Sequence, residues 1–300
     1  MNWNVAIKGF LQYARLEKGL SANTIEAYER DVARLAEFAE EQNITPLNVK
    51  LENLQAFVHW VSELGLAARS QARIVSGIKA FYRYLLMEDL VNDDPAELLE
   101  APKTGLKLPE VLTKDEIDRI IAAIDLSKPE GTRNKAMIET LYSCGLRVSE
   151  LINLQLSNLY FDEGFVRVVG KGNKERLVPI GDAALKYIDI YLNSVRVHQD
   201  VSHGHEDFVF LNRRGKQLTR VMIFSIVKDL CRRAQINKNI SPHSFRHSFA
   251  THLVDGGADL RAIQEMLGHQ SITTTEIYTH LDRDFLRETI MSHHPRARKG

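Results

Sequence analysis

The first hundred residues carry apolar side chains at intervals of three and four residues, a spacing that places them on one face of a helix. The same pattern occupies residues 51–64 and 70–87. Asn23 and Glu26 have the spacing of a helix N-cap and its N3 partner. The sequence therefore predicts an N-terminal domain made of helices alone. Its clearest apolar run is Ile25, Tyr28, Val32, Leu35 and Phe38.

Residues 101–110 separate this region from the rest of the chain. They include Pro102, Gly105 and Pro109 and show little apolar periodicity, which is typical of a linker. We therefore predict one domain over residues 1–104 and a second over residues 105–300. The second opens with a helix in which Thr113 and Glu116 form a capping box.

Strand patterns are confined to the second domain. Two β-rich runs, residues 165–169 and 176–180, flank the sequence Gly-Lys-Gly-Asn at 170–173 and predict a β-hairpin. Residues 207–211 are expected to add a short strand, and helical patterns fill most of the remainder. The predicted fold class is mainly α: a helical N-terminal domain, then an α+β domain with a small sheet.

Composition excludes several classes of protein. The 300 residues are 44% hydrophobic and 26% charged, which suits a soluble globular protein with a large core. Cys144 and Cys231 are too few for a disulfide framework and fit a reducing compartment. No apolar run reaches the roughly 18 residues of a membrane span, and the N-terminus lacks a secretion signal pattern. We therefore expect a cytoplasmic protein. Its net charge of zero is compatible with local basic patches on the surface.

The segment from Ser241 to His247 is the most informative for chemistry. Ser241 as N-cap and Pro242 as the first helical residue predict a helix start. His243 and Arg246 are then three residues apart, on one face of the first turn. A histidine, a guanidinium and the positive end of a helix together suit a phosphate group. The alternative is a structural helix start with a surface arginine.

Arg147 and Tyr278 are further candidates. Arg147 follows Gly145, which suits the left-handed position after a helix; the alternative is a surface ion pair with Glu150, worth ~0–1 kcal/mol. Tyr278 has polar neighbours, whereas a core tyrosine usually has apolar ones. A phenol with a pKa of ~10 needs nearby cations or a base to act as a nucleophile. The groups available for this are Arg147, Arg246, His243 and His269.

Lys171 lies at the tip of the predicted hairpin, where a lysine can reach into a groove and deliver a proton. The alternative is ordinary turn chemistry, because Lys174 and Arg176 would make the whole hairpin surface basic.

Several other catalytic patterns are absent from the sequence. It contains no P-loop, dinucleotide fingerprint, Gly-x-Ser-x-Gly elbow or His-Glu-x-x-His motif, and no cysteine pair at metal-ligand spacing. We therefore expect no metal and no cofactor.

Taken together, these candidates resemble the signature of the tyrosine recombinases in its usual order and spacing. The stretches Gly-Leu-Arg-Val-Ser-Glu-Leu, Gly-Lys-Gly-Asn-Lys-Glu-Arg and His-His-Pro-Arg-Ala are especially similar to the bacterial Xer recombinases. The resemblance spans essentially the whole chain. It implies a C-shaped clamp on DNA, with a core-binding N-terminal domain on one face of the duplex and a catalytic domain on the other.

The resemblance also implies site-specific recombination through a 3′-phosphotyrosyl intermediate. In that chemistry a tyrosine attacks the scissile phosphate and two arginines hold its oxygens. One histidine is a general acid/base, a lysine protonates the departing 5′-oxygen, and a second histidine orients the phosphate. By resemblance the attacking tyrosine is Tyr278, and the two arginines are Arg147 and Arg246. The general acid/base is His243, the proton-donating lysine is Lys171, and the histidine that orients the phosphate is His269.

The partners implied are double-stranded DNA, a XerC-like recombinase within a homo- or heterotetramer, and an FtsK-type translocase, with no membrane. The implied role is the resolution of chromosome dimers at a dif-like site.

The segment after Tyr278, with Phe285, Leu286 and Ile290 at helical spacing, is expected to dock on a neighbouring protomer; the alternative is packing on its own domain. Candidate DNA contacts are Arg69, Arg73, Lys79, Arg83, Lys174 and Arg220.

Three other functions remain open at this stage. An integrase or resolvase of a mobile element would share the whole signature. A type IB topoisomerase would share the chemistry but relax supercoils as a monomer without a defined site. An architectural DNA-binding protein without catalysis would have no use for a placed Tyr278 and Lys171.

Overall fold

The computed structural model describes residues 1–103, 110–170, 174–268 and 280–296. The chain divides into two compact units, residues 1–107 and 108–300, each with its own hydrophobic core. The architecture is mainly helical with one small sheet, which confirms the predicted fold class. Among the described residues, no helix combines the length and the apolar character needed to cross a membrane.

Within residues 1–103, the N-terminal unit consists of four helices. α4 packs against the other three, and the ring of Phe81 in α4 meets that of Phe10 in α1 edge-on, with centroids 5.5 Å apart. The hydroxyl of Ser21 caps α2 by accepting from the backbone N–H of Thr24. The prediction of Asn23 as the N-cap is therefore wrong, because Ser21 already satisfies the free N–H at this helix start. The helices are α1 (Trp3–Leu16), α2 (Ala22–Glu40), α3 (Leu51–Glu63) and α4 (Ala68–Met87).

In the second unit, α6 runs through the core and packs against α8 and α10. The predicted capping box of α5 is confirmed: the hydroxyl of Thr113 accepts from the N–H of Glu116 at 3.2 Å, and the N–H of Thr113 donates to the Glu116 carboxylate at 2.7 Å. The helices are α5 (Lys114–Ala122), α6 (Pro129–Ser143), α7 (Val148–Ile152), α8 (Asp182–Ser194), α9 (Arg220–Arg233), α10 (Pro242–Asp255), α11 (Leu260–Leu267) and α12 (His280–His293).

The sheet of this unit is antiparallel, in the order β1 (Leu159–Tyr160), β2 (Phe165–Val169), β3 (Glu175–Pro179). β2 and β3 form the predicted hairpin, with Val168 opposite Arg176. The third strand precedes the hairpin. The expected strand at 207–211 is wrong, because this segment forms only isolated bridges, to Gln155 and Gln217.

α12 packs on the core of its own unit. Leu286 and Ile290 are each 1% exposed, and the helix contacts α10, α11 and β3. Beyond it, the imidazole of His294 is buried against the ring of Tyr142, with centroids 4.7 Å apart. Leu286 and Ile290 are thus occupied within the same chain, as in the alternative to docking on a neighbouring protomer, whereas Phe285 is 50% exposed.

Candidate active site

The carboxylate of Glu150, in α7, lies at the centre of the candidate site, and its side chain is 1% exposed. Oε1 accepts from Nη1 of Arg147 at 2.9 Å and from Nη1 of Arg176 at 2.8 Å. Oε2 accepts from the backbone N–H of Arg147 at 2.8 Å and from Nη2 of Arg176 at 2.9 Å. These four donors fill the acceptor capacity of the carboxylate.

Arg246, in the first turn of α10, approaches the same carboxylate. Its Nη1 donates to the carbonyl oxygen of Gly145 at 2.8 Å and lies 3.9 Å from Oε2 of Glu150. Its Nη2 donates to the carbonyl oxygen of Leu267, at the end of α11. Three guanidinium groups from separate elements therefore meet around one acid. We call Arg147, Glu150, Arg176 and Arg246 the arginine cluster.

The arginine cluster carries net positive charge, because three guanidinium groups face one carboxylate. Burial, together with the positive charge of Arg147, lowers the pKa of Arg246 to about 10. Burial acts to raise the pKa of Glu150, but the hydrogen bonds and charge of Arg176 and the hydrogen bonds from Arg147 outweigh it and hold that pKa below its ordinary value. The net positive charge of the cluster attracts an anion.

The corner that positions Arg147 is built by the sequence around it. Gly145 has φ +56°, as predicted for the residue that follows α6, and Arg147 is the N-cap of α7. The alternative of a surface ion pair with Glu150 is wrong, because Glu150 is buried and shared with Arg176. The Arg147 side chain is 32% exposed, so it can also bind a ligand.

The start of α10 matches the sequence prediction. Ser241 is the N-cap and Pro242 is the first helical residue. His243 is exposed while Arg246, one turn later, is buried. The positive end of the helix adds to the charge of Arg246, so this turn combines an accessible imidazole with a fixed guanidinium.

Three predicted site residues, Lys171, His269 and Tyr278, lie outside the described residues. Gly170 precedes Lys171 and Gly268 precedes His269, and both glycines lie close to the side chain of Arg176. A Cβ placed on Gly268 would lie 3.2 Å from Cδ of Arg176, and one on Gly170 would lie 3.5 Å from its Nη1. The arginine cluster therefore adjoins the points at which the chain enters both of these segments.

Sequence reasoning did not identify Glu150 and Arg176 as members of the site. The expectation that Arg176 makes the hairpin surface basic is wrong, because its side chain is 7% exposed. The missed signal is the alternation along β3: Arg176 is in phase with Val178, which is fully buried, and side chains two apart on a strand share a face. A charge on a buried face needs a partner, and Glu150 is that partner.

The DNA-binding candidates of the N-terminal unit lie along one side of α4. Arg69, Arg73 and Arg83 are exposed and Lys79 is half-buried. Arg73 forms an ion pair with the buried carboxylate of Asp31, and Nζ of Lys79 donates to a backbone carbonyl at 3.0 Å. We call these four cations the α4 basic stripe, which is about 21 Å long at the rise of a helix.

The remaining DNA-binding candidates belong to the second unit. Lys174, directly before β3, and Arg220, the first residue of α9, are both exposed. Both side chains are therefore accessible to a ligand.

Comparison with known proteins gives consistent matches along the chain. The model of the Phage integrase family matches residues 110–284, and that of the Phage integrase, N-terminal SAM-like domain matches residues 7–89. Tyrosine recombinase XerD of Chlorobaculum tepidum is 44% identical over 298 residues, 98% of each chain. Tyrosine recombinase XerD of Oceanobacillus iheyensis is 41% identical over 294 residues, 97% of this chain and 99% of that one.

The fold is also found in solved structures. The crystal structure of XerH site-specific recombinase bound to palindromic difH substrate superposes with a TM-score of 0.71 at 22% identity, covering 94% of this chain and 82% of that one. At this identity the likeness shows a shared fold.

Proposed function

The chain belongs to the phage integrase family and is a site-specific tyrosine recombinase, and on that premise we propose that it resolves chromosome dimers at a dif-like DNA site. The similarity to XerD recombinases along nearly the whole chain supports this role, and the arginine cluster supports the cleavage chemistry. The cluster provides a preformed cationic site for a phosphate near Gly170 and Gly268, the described residues that precede the segments of Lys171 and Tyr278 in the chain.

We assign double-stranded DNA binding of the core type to the N-terminal unit and catalysis to the second unit. The family context supports assembly of several protomers on DNA. We further propose a XerC-like recombinase as the partner in a tetramer and an FtsK-type translocase as the activator.

In the proposed reaction the hydroxyl oxygen of Tyr278 attacks the scissile phosphorus, and the phosphorus–5′-oxygen bond breaks. The phenolic proton passes to His243, and Lys171 donates a proton to the departing 5′-oxygen. Arg147 and Arg246 bind the non-bridging oxygens and offset the charge that grows on them.

His269 completes the assignment by a hydrogen bond that orients the phosphate. Cleavage replaces the phosphodiester bond of the DNA by a 3′-phosphotyrosyl phosphodiester. The rejoining step is the reverse reaction, with a different 5′-hydroxyl as the nucleophile.

The test is covalent capture on a nicked suicide duplex that carries a dif-like site. Protein is added without metal or ATP, and products are separated on a denaturing gel. We expect a 3′ protein–DNA adduct from the native chain. We expect none from Tyr278→Phe, since removal of the hydroxyl removes the nucleophile while binding to the site stays nearly unchanged.

The XerC-like partner is added in a second arm of the same experiment. An adduct that survives in Tyr278→Phe would reject this residue as the nucleophile. Binding without an adduct in every arm, including one that contains both the partner and the FtsK-type translocase, would reject the proposed reaction.

The α4 basic stripe gives a separate prediction about DNA affinity. The logarithm of the binding constant falls with that of the salt concentration by about 0.9 for each phosphate neutralised. We expect Arg83→Ala to weaken binding across DNA sequences and to reduce this slope by about 1. Fluorescence anisotropy titrations at several salt concentrations measure it. Lys8→Ala, which removes an exposed cation from α1, is the matched control and should leave the slope unchanged; equal slopes in all three proteins would refute the assignment.

A further inference from the structure

We propose that Arg176 is a positioning residue for DNA cleavage: it holds Glu150, and through it Arg147, and it fixes the end of α11 against the arginine cluster. This inference rests on the proposed function of the site. It assigns a role to a residue that ends the Gly-Lys-Gly-Asn-Lys-Glu-Arg stretch and that the sequence analysis did not place in the site.

The first part of the argument is the geometry between Arg176 and Glu150. Nη1 and Nη2 of Arg176 donate to the two carboxylate oxygens at 2.8 and 2.9 Å. This bidentate pair fixes the plane of the carboxylate, since two parallel hydrogen bonds remove its freedom to rotate. Both bonds are buried, so water does not compete for them.

The second part concerns Arg147. Because Arg176 occupies both oxygens of Glu150, Arg147 makes one side-chain bond to that carboxylate, through Nη1. Without Arg176, the acid could take both arms of the Arg147 guanidinium, which would turn it away from a phosphate. Arg176 therefore leaves Arg147 with a single side-chain hydrogen bond to Glu150, so the rest of the Arg147 guanidinium stays available to a phosphate.

The third part is the contact with α11. Nε of Arg176 donates to the carbonyl oxygen of Met266 at 2.7 Å, and Arg246 bonds the next carbonyl, that of Leu267. Carbonyl groups in the last turn of a helix lack partners within the helix, and cations are favourable there. One guanidinium thus ties together the hairpin, the start of α7 and the end of α11.

The chemistry of the side chain makes the inference testable. A lysine keeps the positive charge but has no planar fork, so it cannot bind both carboxylate oxygens and the Met266 carbonyl together. We expect Arg176→Lys to bind DNA with unchanged affinity. Its single-turnover cleavage rate at saturating protein should fall by about ten- to a hundredfold, since small errors in placement of catalytic groups cost that much.

A double-mutant cycle distinguishes positioning from a general loss of structure. If Arg176 acts through Glu150, the cleavage rate of Arg176→Lys/Glu150→Gln should lie within about threefold of the slower single variant; independent roles would multiply the two losses. Arg167→Met is the matched control, because this arginine is in β2 of the same hairpin and is 40% exposed. It should cleave at the native rate.

The outcomes separate the two proposals. A native rate in Arg176→Lys, multiplicative losses in the cycle, or an equal loss in Arg167→Met would overturn the positioning role alone. Weakened DNA binding that accounts for the whole loss would also overturn it. If the native chain itself forms no adduct, the proposed function fails, and this inference fails with it.

Discussion

We expect Glu150→Ala to lower the free energy of unfolding of the second unit by about 3–5 kcal/mol, because it leaves buried arginines without their counter-charge. Arg176 loses both acceptors of its fork, and Arg246 loses the nearest negative charge. Cleavage should fall as well, since Arg147 loses its anchor. Urea denaturation monitored by circular dichroism measures the stability, and the suicide-duplex reaction measures the cleavage.

Glu265→Ala is the control for this experiment. Glu265 pairs with Arg261 on the surface of α11 at 3.7 Å, and removal of such an exposed pair costs about 0–1 kcal/mol. A similar small cost for Glu150→Ala would contradict the view that the carboxylate holds the arginine cluster together.

The stability of the native chain and that of Glu150→Ala should also depend differently on pH. The folded pKa of Glu150 is depressed, so its stabilising effect is present above the pKa of the unfolded chain and is lost as the pH falls through the folded value. The native chain should therefore lose stability on acidification more steeply than Glu150→Ala. Parallel curves would contradict the assignment of this carboxylate as an ionised, paired group.

The second large effect is expected for Gly145→Ala. The backbone at this position is left-handed, with φ +56°, and a Cβ would lie 2.4 Å from Cδ1 of the buried Phe249 ring. Backbone strain and overpacking together should cost about 2–5 kcal/mol. Cleavage should decline more than DNA binding, because the carbonyl of Gly145 holds Arg246.

Gly19→Ala separates the two causes. Gly19 has nearly the same conformation, φ +57°, but a Cβ there would meet nothing within 4 Å. It should cost only the backbone strain, about 1–2 kcal/mol, with no change in cleavage. If both substitutions had equal effects on stability and cleavage, the contact with Phe249 and the link to Arg246 would be irrelevant.

Local patterns in the sequence predicted much of this structure, because their causes are local. The capping box of Thr113 and the left-handed turn at Gly145 each depend on residues within a few positions. The hairpin of β2 and β3 depends on two adjacent runs and the turn between them. The helix start at Ser241 is readable for the same reason.

What the sequence did not reveal depends on contacts between distant segments. The burial of Glu150 cannot be read from its own helix, since the groups that cover it come from β3 and α10. Residues 207–211 have strand-like composition but lack a neighbouring strand with which to form a ladder. The partners of the Arg176 side chain likewise come from distant segments, Glu150 from α7 and the Met266 carbonyl from α11.

The arginine cluster has a consequence for how the protein is made. The bond between Arg246 and Gly145 joins groups 101 positions apart in the chain, and that between Arg176 and Met266 joins groups 90 apart. Since a ribosome adds about 5–20 residues per second, the synthesis of the intervening segments takes on the order of ten seconds. During that time the emerging chain cannot form these two bonds, and a product truncated before α11 never forms the second. An arginine cluster that has both of these bonds is thereby confined to chains whose synthesis has passed the end of α11.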